Sequence, residues 1–218
     1  MILPSEKLVY IKVPKTASTS IATILWDSVE IEIRSSQRQA ALINLNAGGG
    51  RSIGANGWHV RLADVLVFLG NQAQDYKYFS VIRDPLERFI SAYNYAGLKA
   101  LKKRQDLISV DDTIEMLMQR QYNKLPRQLG LHLLPQTSWL QDTQGNIPDY
   151  LNLFALENLA EAVDFLRTFQ SLKSRKLLHK NKVKKPIIEK DNISKDNLKK
   201  ILDFYEEDSC LYQKLVKP

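Results

Sequence analysis

Hydrophobic positions along the chain alternate between two periods. Leu8–Val13 (LVYIKV) is a β-rich run that ends at Pro14, and it predicts a strand leading into a loop. Ser18–Val29 then places Ile21, Ile24, Leu25 and Val29 at helical spacing, so the first thirty residues read as strand, loop, helix. Gln37–Ser52, with Gly48, Gly49 and Gly50, has no clear period and reads mostly as loop. Arg61–Leu69 predicts a short helix stopped by Gly70. Tyr76–Ile82 (YKYFSVI) is a second strand candidate ending at Arg83-Asp84-Pro85, and a helix starts near Pro85, a residue suited to a first helical turn. Its apolar stripe is Leu86, Phe89, Ile90, Tyr93 and Gly97.

Further on, Asp111–Gln121 predicts a helix, Tyr150–Leu156 a third strand and Asn158–Phe169 another helix. A final helix is predicted over Ser194–Leu215, with Ser194 as N-cap and Leu198, Ile201, Leu202 and Tyr205 turned inward. Strands alternating with helices imply an α/β fold in three layers, a central parallel sheet with helices on both faces. There is no internal repeat and no low-complexity tract.

Composition bounds this picture. At 218 residues the chain predicts one domain, or at most a tight pair of lobes, and it can bury a core without staples. Its 44% hydrophobic and 25% charged residues exclude a wholly disordered or fibrous protein. Cys210 is the only cysteine, so neither an intramolecular disulfide nor a cysteine-based zinc site can form, and the three histidines are too scattered for a metal motif. The longest apolar block, near Val65–Leu69, falls far short of the roughly 18 residues of a membrane span. The opening MILPSEKLVYIKVPK carries charges inside its first apolar stretch, so the expectation is an intracellular protein without a signal peptide.

The net charge of +7 is concentrated. Ser171–Lys200 holds 11 basic and 3 acidic residues, a local +8, and the remainder of the chain sums to about −1. A solvated lysine-rich loop accounts for such a run, and so does an anion site for phosphate, sulfated glycan or nucleic acid. Six lysines between Lys173 and Lys185 have no interleaved aromatics, which argues against a base-stacking surface.

Candidate chemistry centres on Lys12-Val13-Pro14-Lys15-Thr16-Ala17-Ser18-Thr19-Ser20. A strand end, a lysine and a run of small and hydroxyl residues opening a helix make an anion cradle. Unpaired helix N–H groups and the macrodipole favour negative charge, and small side chains let the backbone approach it. An ordinary capped helix after a turn has the same composition. No glycine precedes Lys15, so this is not a Walker A loop, and the loop suggests phosphate without specifying ATP.

This segment resembles the phosphosulfate-binding loop of sulfotransferases, which use 3′-phosphoadenosine 5′-phosphosulfate (PAPS). Val81-Ile82-Arg83-Asp84-Pro85-Leu86-Glu87-Arg88-Phe89-Ile90-Ser91-Ala92-Tyr93 resembles the 3′-phosphate-binding strand and helix of the same family. The likeness is closest to carbohydrate sulfotransferases of the heparan and uronyl 2-O type, and strongest over Leu8–Tyr93. It implies a single sulfotransferase domain over residues 1–218 with a P-loop-like sheet. It implies PAPS as cosubstrate, with 3′-phosphoadenosine 5′-phosphate (PAP) as product and no metal. By the resemblance, Lys12, Pro14, Lys15, Thr16, Ala17, Ser18, Thr19 and Ser20 hold the phosphosulfate end, Arg83 and Ser91 the 3′-phosphate, and Asn181 and Lys182 lie in a loop over the nucleotide. Asp84, Glu87 and Arg88 are expected to form local ion pairs that hold the turn.

His59 sits where the 2-O-type enzymes carry a catalytic base, so the resemblance implies His59 and Lys15 as catalytic residues. An imidazole with an ordinary pKa near 6.5 can take a hydroxyl proton at neutral pH. His132 is expected to serve packing or an acceptor contact, and Trp139 either to stack on a sugar ring or to be buried after a turn. The resulting expectation is sulfuryl transfer to a carbohydrate or other hydroxyl-bearing acceptor, anionic ones included, in the cytoplasm, without nucleic acid and without a membrane span. Two rivals stand beside it: a nucleotide-dependent kinase on a P-loop-like fold, and a non-catalytic basic module binding glycan or nucleic acid.

Overall fold

A computed structural model describes residues 1–26, 59–173 and 186–216. The expected loop at Gln37–Ser52 lies outside them. The described strands are β1 (Ile2–Leu3), β2 (Leu8–Ile11), β3 (Lys77–Ile82) and β4 (Leu151–Ala155). The described helices, in chain order, are α1 (Ser18–Trp26), α2 (Leu62–Leu69), α3 (Pro85–Lys102), α4 (Val110–Met118), α5 (Arg127–His132), α6 (Thr137–Leu140), α7 (Leu159–Arg167), α8 (Lys195–Phe204) and α9 (Glu206–Val216). Two compact units result: Met1–Ile82 with Gln136–Lys180, and Arg83–Pro135 with Asn181–Pro218.

The first unit is built on one sheet in the order β1-β2-β3-β4. β2, β3 and β4 run parallel, with Tyr10 opposite Phe79 and Val81 opposite Phe154, and the short β1 pairs antiparallel with β2. All four residues of β2 and five of the six in β3 are buried, which is why these strands read as near-continuous apolar runs. One face presents Leu8, Tyr10, Phe79 and Val81 to Ile21, Ile24 and Leu25 of α1 and to Leu159, Ala162 and Leu166 of α7. Tyr10 and Phe79 stack with ring centroids 4.7 Å apart. On the other face the Ser80 hydroxyl donates to the Ile11 carbonyl at 2.7 Å, which satisfies a polar group inside the sheet. The mixed α/β, P-loop-like architecture expected from the alternation of strands and helices is therefore present. Gly70 stops α2 at φ +52°, a conformation that costs glycine little.

In the second unit, Asp84 caps α3, its Oδ1 accepting from Glu87 N at 2.9 Å. The stripe Leu86, Phe89, Ile90, Tyr93 and Gly97 is buried throughout, against Ile114 and Leu117 of α4, Leu129 of α5 and Ile201 of α8. Arg88 departs from the local ion pair expected of it. It is fully buried, donating to the carbonyls of His132 (2.6 Å) and Leu134 (2.9 Å), 3.7 Å from the Asp208 carboxylate and over the Tyr205 ring. The Arg88 guanidinium is thus held by carbonyls at and just after the end of α5 and by Asp208, not by Asp84 or Glu87.

Asn94 and Gly97, one turn apart on α3, receive the backbone of Ile187 and Ile188. Asn94 Oδ1 accepts from both N–H groups, at 2.7 and 2.9 Å, and its Nδ2 donates to Ile188 O at 2.8 Å. A Cβ at Gly97 would stand 2.5 Å from the Ile187 side chain. The final helix does not run unbroken. Tyr205 leaves helical geometry (φ −101°, ψ 28°) between α8 and α9, and its buried hydroxyl donates to Leu133 O at 2.6 Å. Leu202, expected inward, is 45% exposed, because the buried face passes through Ile201 and Tyr205.

Candidate active site

The segment between β2 and α1 is glycine-free, yet it adopts a glycine-like path. Lys15 (φ +69°) and Ala17 (φ +55°) are left-handed, while Thr16 and Ser18 between and after them are not. Such alternation turns successive amides toward one concavity, a nest suited to an anion. The chain turns into α1 where Ser20 N and Ile21 N donate to Ala17 O (2.9 and 3.2 Å). The Thr16 hydroxyl donates to Val13 O at 3.1 Å and ties the bend to the end of the strand. Each non-glycine left-handed residue costs of order 1–3 kcal/mol and persists where surrounding structure imposes it.

Pro14, Thr16, Ser18 and Ser20 are buried, Lys15 and Ala17 half-buried, and Thr19 exposed. Lys12 is only 5% exposed, and burial lowers its ammonium to a pKa of about 8. The α1 dipole adds positive potential at the same end of the sheet, which is the end where open α/β sheets bind ligands.

His59 joins this loop from 47 residues away. Its Nδ1 lies 2.7 Å from the carbonyl oxygen of Lys12. A carbonyl can only accept, so Nδ1 carries the proton and Nε2 keeps the lone pair. Burial pulls the imidazole down to a pKa of about 4; the Lys12 hydrogen bond opposes this, and the positive groups of Lys12, Met1 and Lys15 reinforce it. The ring is therefore neutral across the physiological range. It also meets Trp139 of α6, with centroids 5.8 Å apart and planes at 60°.

Trp139 is fully buried, so of its two expected roles the structure gives the packed one, with no face for a sugar. His132 is likewise packed, 5% exposed, its ring 5.4 Å from that of Tyr95. The contact between His59 and Trp139 has no signal in the sequence, since it joins residues 80 apart and neither lies in a motif shared with the other.

Arg83 and Ser91 belong to the second unit. Arg83 pairs with Glu87 at 3.1 Å, and Ser91, half-buried, follows Glu87 at the next i,i+4 step. Arg83, Glu87 and Ser91 thus fall at successive helical-neighbour positions along the start of α3. Asn181 and Lys182 lie outside the described residues. Among the described residues no group of three His, Cys, Asp or Glu could hold a metal ion, and no helix is long and apolar enough to cross a membrane.

A mostly parallel sheet flanked by helices, whose crossover from β2 opens with a glycine-free left-handed bend, is a P-loop-like α/β fold. The profile described as "Sulfotransferase family" matches residues 1–214, and the chain belongs to that family. No curated protein and no solved structure matches it. Family membership makes the protein an enzyme that transfers a sulfuryl group.

Proposed function

We propose that this enzyme transfers the sulfuryl group of PAPS to a hydroxyl of a carbohydrate. The observation that carries the reading is the pairing of the left-handed Lys15 and Ala17 nest with a histidine whose Nδ1 proton is committed to Lys12 O. The donor set suits the nucleotide: the N-terminal amides of α1 behind a left-handed bend, buried hydroxyls at Ser18 and Ser20, and the cations of Lys12 and Lys15.

In the proposed reaction the acceptor oxygen bonds to sulfur, the bond from sulfur to the bridging phosphate oxygen breaks, and the acceptor proton passes to His59 Nε2. Lys15 and the nest amides stabilise charge growing on the departing phosphate, the kind of preorganised term that carries much of enzymatic catalysis. Lysines, hydroxyls and helix amides supply the positive potential, so the proposal includes no metal. Arg83 and Ser91 are assigned to the 3′-phosphate, and a planar guanidinium suits that dianion. Asn181 and Lys182 are assigned to the nucleotide by resemblance alone. The local +8 of Ser171–Lys200 favours an anionic glycan among hydroxyl acceptors. The same proposal treats residues 1–218 as one sulfotransferase domain acting in the cytoplasm.

The test is incubation with sulfur-labelled PAPS and a panel of glycans, lipids and small phenols. Label is expected on a glycan hydroxyl. PAP at 100 times its Kd should stabilise the protein by about 2.7 kcal/mol, and ATP much less. Magnesium-dependent phosphate transfer from ATP, with equal stabilisation by both nucleotides, would replace this reading with that of a kinase.

A further inference from the structure

We propose that Trp139 is a positioning residue for His59: its buried indole holds the plane of the imidazole while Lys12 O holds Nδ1, and it keeps water from that side of the ring. The inference rests on the proposed role of His59 as base, and it adds a residue that no motif assigns.

Three contacts build the frame. The imidazole is fixed at one atom by Lys12 O. Trp139 meets the ring edge to face at 5.8 Å, a contact that limits how far its plane can turn. The third contact fixes the two carriers of these side chains against each other. Ala63 N, in the first turn of α2 just after His59, donates to Gln141 O, which follows α6, at 3.1 Å. Leu62 and Val65 bury the inner face of α2. A base that must meet a hydroxyl proton at hydrogen-bond distance gains from this, because small misplacements cost large factors in rate.

The indole has a property that makes the idea testable. Trp139 Nε1 is buried and has no hydrogen-bond partner among the described residues. Replacing the indole by an apolar side chain therefore breaks no hydrogen bond seen there, and what changes is the ring contact and its exclusion of water. Water admitted beside the imidazole favours its charged form, which burial now disfavours. The charged groups acting on the ring include Lys12, just after β2, the Met1 amine and Lys15 of the nest. Arg61 and Asp64 are the nearest ionisable residues along the chain, and α6 contributes none. None of these is altered by a substitution at Trp139.

The experiment is an NMR titration of His59 in the full chain, wild type against Trp139→Leu and Trp139→Phe, with the tautomer read from the ring nitrogens. The wild type should titrate near pH 4 with the proton on Nδ1. Trp139→Leu should raise the midpoint by at least one pH unit and mix the tautomers. Trp139→Phe, keeping one ring, should move it about half as far. In sulfuryl transfer Trp139→Leu should lower kcat about tenfold and leave KM for the nucleotide unchanged. A folded Trp139→Leu protein with the wild-type midpoint and tautomer overturns the proposal. If that variant does not fold, an unmoved midpoint in Trp139→Phe overturns it instead. A moved midpoint in a protein that neither binds PAP nor transfers sulfate upholds the positioning of His59 and removes the proposed function, so the two failures are distinguishable.

Discussion

The Nδ1 of His59 stands 2.7 Å from the carbonyl oxygen of Lys12, so the strand that opens the anion nest also sets the tautomer of the candidate base. The same burial that makes this bond strong pulls the imidazole well below its ordinary value, to about 4. A base in this state is weak but always available at neutral pH.

The pH dependence follows from that value. The active form is the neutral one, so the limb of the rate profile due to His59 should rise with pH near 4, well below the value near 6.5 of an unperturbed histidine, and be flat from about pH 5.5 to 8. His59→Ala should lower kcat by about 10²–10⁴-fold and leave PAP affinity nearly unchanged. His59→Asn, which can still donate to Lys12 O, should fold like the wild type and be as slow as the alanine variant. Near-wild-type turnover in His59→Ala would remove the base assignment.

The same group sets a stability slope. Between about pH 4 and 6.5 the unfolded chain binds a proton at His59 that the folded chain does not, so folding stability falls as pH is lowered through that window and this contribution levels off below it. Denaturant titrations of wild type and His59→Asn at pH 7 and pH 4.5 measure this. The wild type should lose more stability between the two than the variant, and parallel losses would contradict the lowered value.

The nest should be intolerant of β-branching. Ala17 sits at φ +55°, where a β-branched side chain is a genuine outlier. Ala17→Val is expected to destabilise the protein by about 1–3 kcal/mol and to abolish measurable PAP binding, as read by thermal melts with and without the nucleotide. Lys15→Ala should instead leave the melt of the free protein little changed and reduce turnover strongly, because it removes charge directed at the leaving phosphate. A Lys15→Ala enzyme with wild-type kcat would separate the nest from the chemistry.

Much of this architecture is legible in the chain itself. β2, β3 and β4 are dense apolar runs ended by Pro14, Arg83-Asp84-Pro85 and the start of a helix, and every residue of the stripe predicted for α3 is buried, although the buried face also takes in Arg88, Ala92 and Asn94, which an apolar pattern does not pick out. Other features are invisible for physical reasons. β1 is two residues long and exists because it pairs with β2. The break at Tyr205 is hidden because Leu198, Ile201 and Tyr205 keep helical spacing across it. Left-handed backbone is expected of glycine, and the nest uses Lys15 and Ala17. His59 is picked out by resemblance, but its partner is a backbone oxygen 47 residues away, an atom every residue has.

Arg83 and Ser91 give a prediction that separates binding from chemistry. Arg83→Ala should weaken PAP by roughly 1.5–3 kcal/mol, the scale of a hydrogen bond to a charged group, and Ser91→Ala by roughly 0.5–1.5 kcal/mol. Both should affect adenosine 5′-phosphosulfate, which lacks the 3′-phosphate, much less. Glu87 holds the Arg83 guanidinium at 3.1 Å in the free protein, so Glu87→Gln is expected to leave PAP binding intact or tighten it. Equal losses for the two nucleotides in Arg83→Ala would refute the 3′-phosphate assignment.

The buried pair in the second unit makes the strongest stability prediction. Arg88 is fully buried, with the carbonyls of His132 and Leu134 on its terminal nitrogens, the Asp208 carboxylate 3.7 Å away and the Tyr205 ring beneath it. Removing one member of such a pair leaves a buried charge without its counter-charge and typically costs about 3–5 kcal/mol. Asp208→Leu should therefore lower the unfolding free energy by about that amount. Arg88→Met should cost at least as much, since it also strips two buried carbonyls of their donor. Arg88→Lys should not rescue, because an ammonium cannot reproduce the planar fork that serves two carbonyls. The double variant Arg88→Met with Asp208→Leu should be well above the sum of the singles in stability, because neither charge is then buried alone. Urea unfolding of the four proteins closes the cycle. Additive losses would mean that the two side chains are not coupled and that Arg88 is held by the carbonyls and Tyr205 alone.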